Sequence, residues 1–166
     1  MNFKAEVFDK YMREANHVEP KWISMGDEYD TMFIKTFDEN GILLLLQFNN
    51  TPFMRVRVLV ADRVDVNTEG LLEMLNKFTA DHPTCSYSVT EDNELCGTFN
   101  FAVEDADFTI PFFFGYVVFN VHQMIPEMID ILNFLNRQIP EGLQKAYDGL
   151  PQNVDAEAQV AEAVSE

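Results

Sequence analysis

Two thiols, three imidazoles and several carboxylate clusters are the side chains of this 166-residue sequence with the means to do chemistry. A disulfide needs both sulfurs on one side of a sheet, and a zinc site needs further Cys or His at ligand spacing. Cys85, Tyr87 and Val89 alternate as the apolar face of one strand, and Leu95, Phe99, Phe101 and Val103 as that of the next. Matching those faces requires an odd-length loop, such as Asp92-Asn93-Glu94, which turns Cys85 inward and Cys96 to the other face. The two cysteines are therefore expected to stay unpaired in a reducing compartment.

His17, His82 and His122 are scattered, and none belongs to an H-E-x-x-H or H-x-E pattern, so each is expected to be structural. His122 stands apart because Pro126 has no N–H for the carbonyl of residue 122, which would leave a polar group at a helix kink. The acids gather at Asp27-Glu28-Asp30, Asp38-Glu39, Glu91-Asp92-Glu94 and Glu104-Asp105-Asp107, all at predicted turns. None has the alternating oxygens, central Gly and terminal Glu of a calcium loop. G-x-S-x-G, Walker and G-x-G-x-x-G motifs are missing from the sequence. No catalytic residue, metal ligand or cofactor is expected, and the chain reads as a non-enzyme.

Charge narrows the partners. Eleven Lys+Arg against 28 Asp+Glu give 11 − 28 = −17. Nucleic acid and anionic membrane surfaces are disfavoured, because both are bound through clustered bases. The acidity serves solubility or attracts a basic or poorly folded partner. The N-terminus brings acids at once and no apolar h-region, so a cytoplasmic location is expected. Ile110 to Val121 is too short to span a bilayer core of ~30 Å.

The elements that must carry these residues follow from periodicity. Phe3, Val7 and Tyr11, with Phe8 and Met12, have helical spacing behind an Asn2 N-cap. Trp22 to Phe37 is rich in strand formers, and Asn40-Gly41 predicts a tight hairpin that places Phe33, Lys35 and Phe37 on the face of Ile42, Leu44, Leu46 and Phe48. Met54, Val56, Val58 and Val60 make a third strand. Asn67 is the expected cap of a helix through Leu71, Leu75 and Phe78, ended by His82-Pro83, and two further strands flank the turn at residues 91–94.

Phe113, Val117, Val121, Met124, Met128, Leu132 and Leu135 step by three or four, predicting a long C-terminal helix kinked or restarted at Pro126. Residues 151–166 carry acids, no base and no large side chain, and read as a disordered acidic tail after a single domain spanning 1–150. The fold class is α+β: an antiparallel sheet of about five strands packed by helices, in the order α-β-β-β-α-β-β-α.

Two regions carry more large apolar area than such a layer needs: Trp22 with Met25 and Tyr29, and the run from Phe112 to Phe119. Trp22, Phe112, Phe113, Tyr116, Val118 and Phe119 are the candidate interface residues. A homodimer or another protein partner would cover them. A small-ligand or lipid binder, or an enzyme with an unrecognised site, is the alternative.

The order of elements from Phe3 to Arg137 resembles the YbjN family and the type III secretion chaperone-like fold. The residues that carry the likeness are Trp22 to Met25, the hairpin at Asp38-Glu39-Asn40-Gly41, the helix through Leu72-Glu73-Met74-Leu75-Asn76, and Tyr87-Ser88-Val89 leading through Glu91-Asp92-Asn93-Glu94 to Leu95. The resemblance implies a compact acidic domain that binds proteins, commonly as a homodimer, in a chaperone-like or regulatory role, and it transfers no active site. His82-Pro83 stands where such families commonly have Gly, and the stretch from Phe112 to Val121 is unusually aromatic.

Overall fold

A computed structural model of the chain describes residues 2–15, 21–24, 29–35, 42–82 and 84–150, with side chains described outside residues 24–41. The anticipated Asn40-Gly41 turn, Met25, His17, Pro83 and the acidic tail lie outside the described residues, as do the side chains of the strand containing Tyr29.

The first helix, α1 (Phe3–Ala15), begins where expected, since Asn2 Oδ1 accepts the Ala5 N–H at 2.9 Å. Its buried stripe is Lys4, Ala5, Phe8 and Met12. The strands β1 (Trp22–Ser24), β2 (Tyr29–Lys35), β3 (Leu43–Asn49) and β4 (Phe53–Ala61) form consecutive antiparallel pairs. Helix α2 (Leu71–Asp81) then crosses to β5 (Cys85–Val89) and β6 (Leu95–Ala102), giving one antiparallel sheet in the order β1-β2-β3-β4-β6-β5. The architecture is α+β. The sequence segment expected to form one strand after Pro20 is divided into β1 and β2, which brings the described strands to six.

Register decides what each face carries. Across β3, β4, β6 and β5 the rows run Leu46–Val56–Phe99–Cys85 and Leu44–Val58–Gly97–Tyr87, so a continuous apolar surface looks toward the helices. At the β2–β3 pair the structure departs from expectation, because Ile34 is opposite Leu44 and Phe33 opposite Leu45. The even-length turn assumed from Asn40-Gly41 fails, since an odd-length connection between the strand ends moves every side chain by one position. The β5–β6 loop is odd as predicted, with Val89 opposite Leu95 and the turn closed by Asn93 at φ 61°.

Helix α2 starts later than its expected cap. Asn67 donates its N–H to Asp65 Oδ1 in a local turn, and the N-cap is Gly70 at φ 81°, a conformation that glycine adopts without steric cost. After a 3₁₀ turn at Asp105–Asp107, the long helix α3 (Ile110–Phe134) opens with Thr109 Oγ1 accepting the Phe112 N–H, and Pro111 in its first turn. It runs without a break through Pro126. The interruption comes instead at residues 135–140, where Asn136 takes φ 52° and Arg137 N–H reaches back to Leu132 O before α4 (Glu141–Asp148) begins.

At Gly97 α3 packs close against the sheet, because a Cβ there would lie 2.0 Å from Met124 Cε and 3.1 Å from Tyr87 Cε1. The predicted helical stripe is the buried face of α3: Phe113, Val117, Val121, Met124, Met128 and Leu132 are all in the core.

Candidate functional site

Phe113 is 1% exposed and sits at the centre of an aromatic cluster, with ring centroids 5.2 Å from Phe8, 5.6 Å from Phe48 and 5.9 Å from Phe108. It belongs to the core and not to a free surface. Trp22 is half-buried, its ring 5.6 Å from Phe48 and its Nε1–H donated to Asp9 Oδ1 at 2.7 Å, so it fastens β1 to α1. Tyr116 is half-buried against Phe101 at 4.4 Å. Of the six candidate interface residues, these three are committed to packing within the chain.

Phe112, whose ring also lies 6.4 Å from Phe101, and Val118 and Phe119 keep much of their surface outside that packing. They are 46%, 46% and 61% exposed, and Gly115 lies among them with nothing within 4 Å of where its Cβ would be. From Phe108 to Pro126 the sequence has no Asp, Glu, Lys or Arg, and His122 is its one titratable side chain besides Tyr116, in a chain whose net charge is −17. The outer face of the first half of α3 is therefore an uncharged, largely apolar strip. Beyond Phe112 it borders an open depression of about 470 Å³ lined by Pro52, Ala102, Val103, Glu104 and Asp107. Phe53, 61% exposed, is paired in register with Ala102 at that depression's edge.

A second arrangement was not legible in the sequence. The Tyr87 hydroxyl donates to Glu127 Oε2 at 2.6 Å, and His82 Nε2 lies 3.1 Å from Glu127 Oε1. Residues from β5, the end of α2 and α3 meet there. Burial is the main cause that holds the Glu127 carboxyl above its usual range, and the charges of Asp81 and Asp130 add to it, while the Tyr87 hydrogen bond and His82 oppose. Burial likewise pushes the Tyr87 phenol up and the nearby Cys85 thiol up to about 12. Both stay protonated at neutral pH, so neither is poised as a nucleophile.

The only prior signal was spacing. Asn120 and Glu127 are seven residues apart, two helical turns, and Asn120 also faces the β5 end of the sheet through the Thr84 hydroxyl at 2.8 Å.

Cys85 and Cys96 are free and buried on opposite faces, as predicted. Cys96 lines a cleft of about 70 Å³ on the face opposite Cys85, with Leu43, Leu45, Arg57, Leu59 and Glu94. Among the described residues, no group of three His, Cys, Asp or Glu is arranged to hold a metal ion. The described acidic clusters occupy the β5–β6 turn and the 3₁₀ turn before α3. No described helix is long and apolar enough to cross a membrane. No family model, curated protein or solved structure matches this chain.

Proposed function

We propose that this domain is a non-catalytic protein-binding module that works as a homodimer, in the chaperone-like or regulatory role implied by its resemblance to the YbjN family. The observation that carries the reading is the strip of Phe112, Val118 and Phe119 on α3, exposed and uncharged in a molecule of net charge −17. Apolar side chains on a helix face away from its own sheet gain by being covered, at roughly 25 cal/mol per Å² of apolar surface. Charge repulsion opposes the approach of two such acidic chains, and the absence of acids from Phe108 to Pro126 lowers that cost on this face.

A two-fold pairing of α3 with its copy buries the same strip twice with one evolved patch. The depression beside Phe112 extends the contact toward Phe53 and gives the rim the acids Glu104 and Asp107, which suits a partner with basic groups outside an apolar centre. The closed Tyr87–Glu127–His82 network, with its phenol held protonated, fits a structural tie better than a reaction centre.

Sedimentation equilibrium at micromolar concentration tests the reading: a mass near twice 19.1 kDa is expected, and a monomer at all concentrations and salt levels overturns the dimer. Crosslinking in a native lysate, followed by comparison of wild type with Phe119→Glu, identifies partners that use the same strip.

A further inference from the structure

Glu127 directly follows Pro126 in α3, between the buried Ile125 and Met128. Its side chain is 13% exposed and touches the Tyr87 hydroxyl and the His82 imidazole at once. One carboxyl thus joins α3 to edge strand β5 and to the C-cap of α2. The charged and titratable groups facing it are Asp81 and His82 from the end of α2, Cys85 and Tyr87 from β5, and Asp130 from α3 itself. None is Lys or Arg. Among the described residues the cation within reach is His82, which carries charge only when protonated.

We propose that the Tyr87–Glu127–His82 network is a proton-operated latch, in which the protonation state of this one carboxyl sets how firmly the middle of α3 is fastened to β5 and α2. Ionised Glu127 is held by the Tyr87 hydrogen bond and the His82 imidazole 3.1 Å away, against burial and the nearby acids Asp81 and Asp130. Neutral Glu127 keeps a hydrogen bond with the phenol and loses both of those penalties.

Because the folded chain holds this proton more tightly than the unfolded chain, the latch is fully fastened below the ordinary carboxyl value of 4.5. It loosens as pH rises through the higher, folded value. This is the reverse of a salt-bridged surface carboxylate, which weakens on acidification.

The Tyr87 N–H, donated to Thr79 Oγ1 at 2.9 Å, reports on the joint between β5 and α2. Its hydrogen exchange is to be measured in wild type and in Glu127→Gln between pH 5 and 8, so that the chemical pH dependence of exchange cancels in the ratio. The wild-type rate relative to the variant is expected to climb with pH, by up to ~10-fold per unit across the Glu127 titration. A flat ratio overturns the latch.

Carboxyl ¹³C titration of wild type is the second readout, and needs no variant to fold. Glu127 titrating at or below 4.5 overturns the proposal. His82→Asn removes the imidazole charge that favours the carboxylate and is expected to move that titration to higher pH; an unmoved midpoint overturns the three-residue network.

Discussion

Lys4 Nζ lies 2.6 Å from Asp105 Oδ1, joining the first turn of α1 to the 3₁₀ turn that precedes α3, a hundred residues away. The ammonium also donates to Thr51 O at 3.1 Å. Lys4 is 1% exposed whereas Asp105 is 57% exposed, so the two halves of the pair are not equivalent. Removing the acid strands a buried charge; removing the base leaves a carboxylate that water can solvate.

Asp105→Ala should consequently cost more than Lys4→Met, about 2 to 3 kcal/mol against about 1. The first figure lies below the 3–5 kcal/mol of fully buried pairs because Thr51 O remains as an acceptor. Urea denaturation of the two variants checks the order, and a costlier Lys4→Met would show that stem packing outweighs charge at this site.

Phe113 and Phe119 lie on the same helix with opposite commitments. Phe113→Ala empties a site surrounded by rings and should remove about 3 to 5 kcal/mol, a large part of a typical domain's stability. Phe119→Ala should change the stability of the isolated protomer by less than about 0.5 kcal/mol. Thermal unfolding at low protein concentration distinguishes them.

Phe119→Glu and Val118→Asp place like charges on the proposed two-fold contact without touching the core. Each should convert the dimer into monomers of 19.1 kDa while leaving the far-ultraviolet circular dichroism unchanged. Retention of the dimer in both variants would move the interface elsewhere.

Cys85 should resist alkylation at pH 8 in the folded chain, because burial first, and the Glu127 charge second, push its thiol from an ordinary 9.0 up to about 12. Unfolding restores the ordinary value, so reaction should accelerate sharply in denaturant. The native state holds this proton more tightly than the unfolded one, and the linked stability is lost between about pH 9 and 12 as pH rises. Mass-resolved labelling with iodoacetamide, with Cys96→Ser to isolate the site, reads both effects.

Much of the fold was written in periodicity. The α3 stripe, the α1 cap at Asn2 and the opposite faces of Cys85 and Cys96 followed from spacings of 3.6 and 2 that tertiary structure preserves. Helix ends and turn lengths were less legible, since they turn on single residues. Asp65 captures Asn67 in a local turn and delays α2 to Gly70, while the positive φ of Asn136 ends α3 after Pro126 has failed to do so.

The interface set was half legible for a physical reason. Composition marks Phe112 through Phe119 as apolar, but only the helix's rotation against the sheet decides that Phe113 goes in and Phe119 stays out. The Tyr87–Glu127–His82 network left no more than a helical spacing in the sequence, because its members come from three elements whose meeting depends on the β6-β5 order at the sheet's edge.

That edge has a further consequence. A bordering strand ordinarily offers its outward amides to any passing chain, which is the usual route to sheet-to-sheet aggregation. In β5 the central outward amide, that of Tyr87, is already occupied by the Thr79 hydroxyl from α2. The side chain of one threonine thus acts as a stopper on the growth of the sheet. Thr79→Val, nearly identical in shape, would leave that amide without its partner, and thioflavin fluorescence beside wild type reads whether the border then recruits further strands.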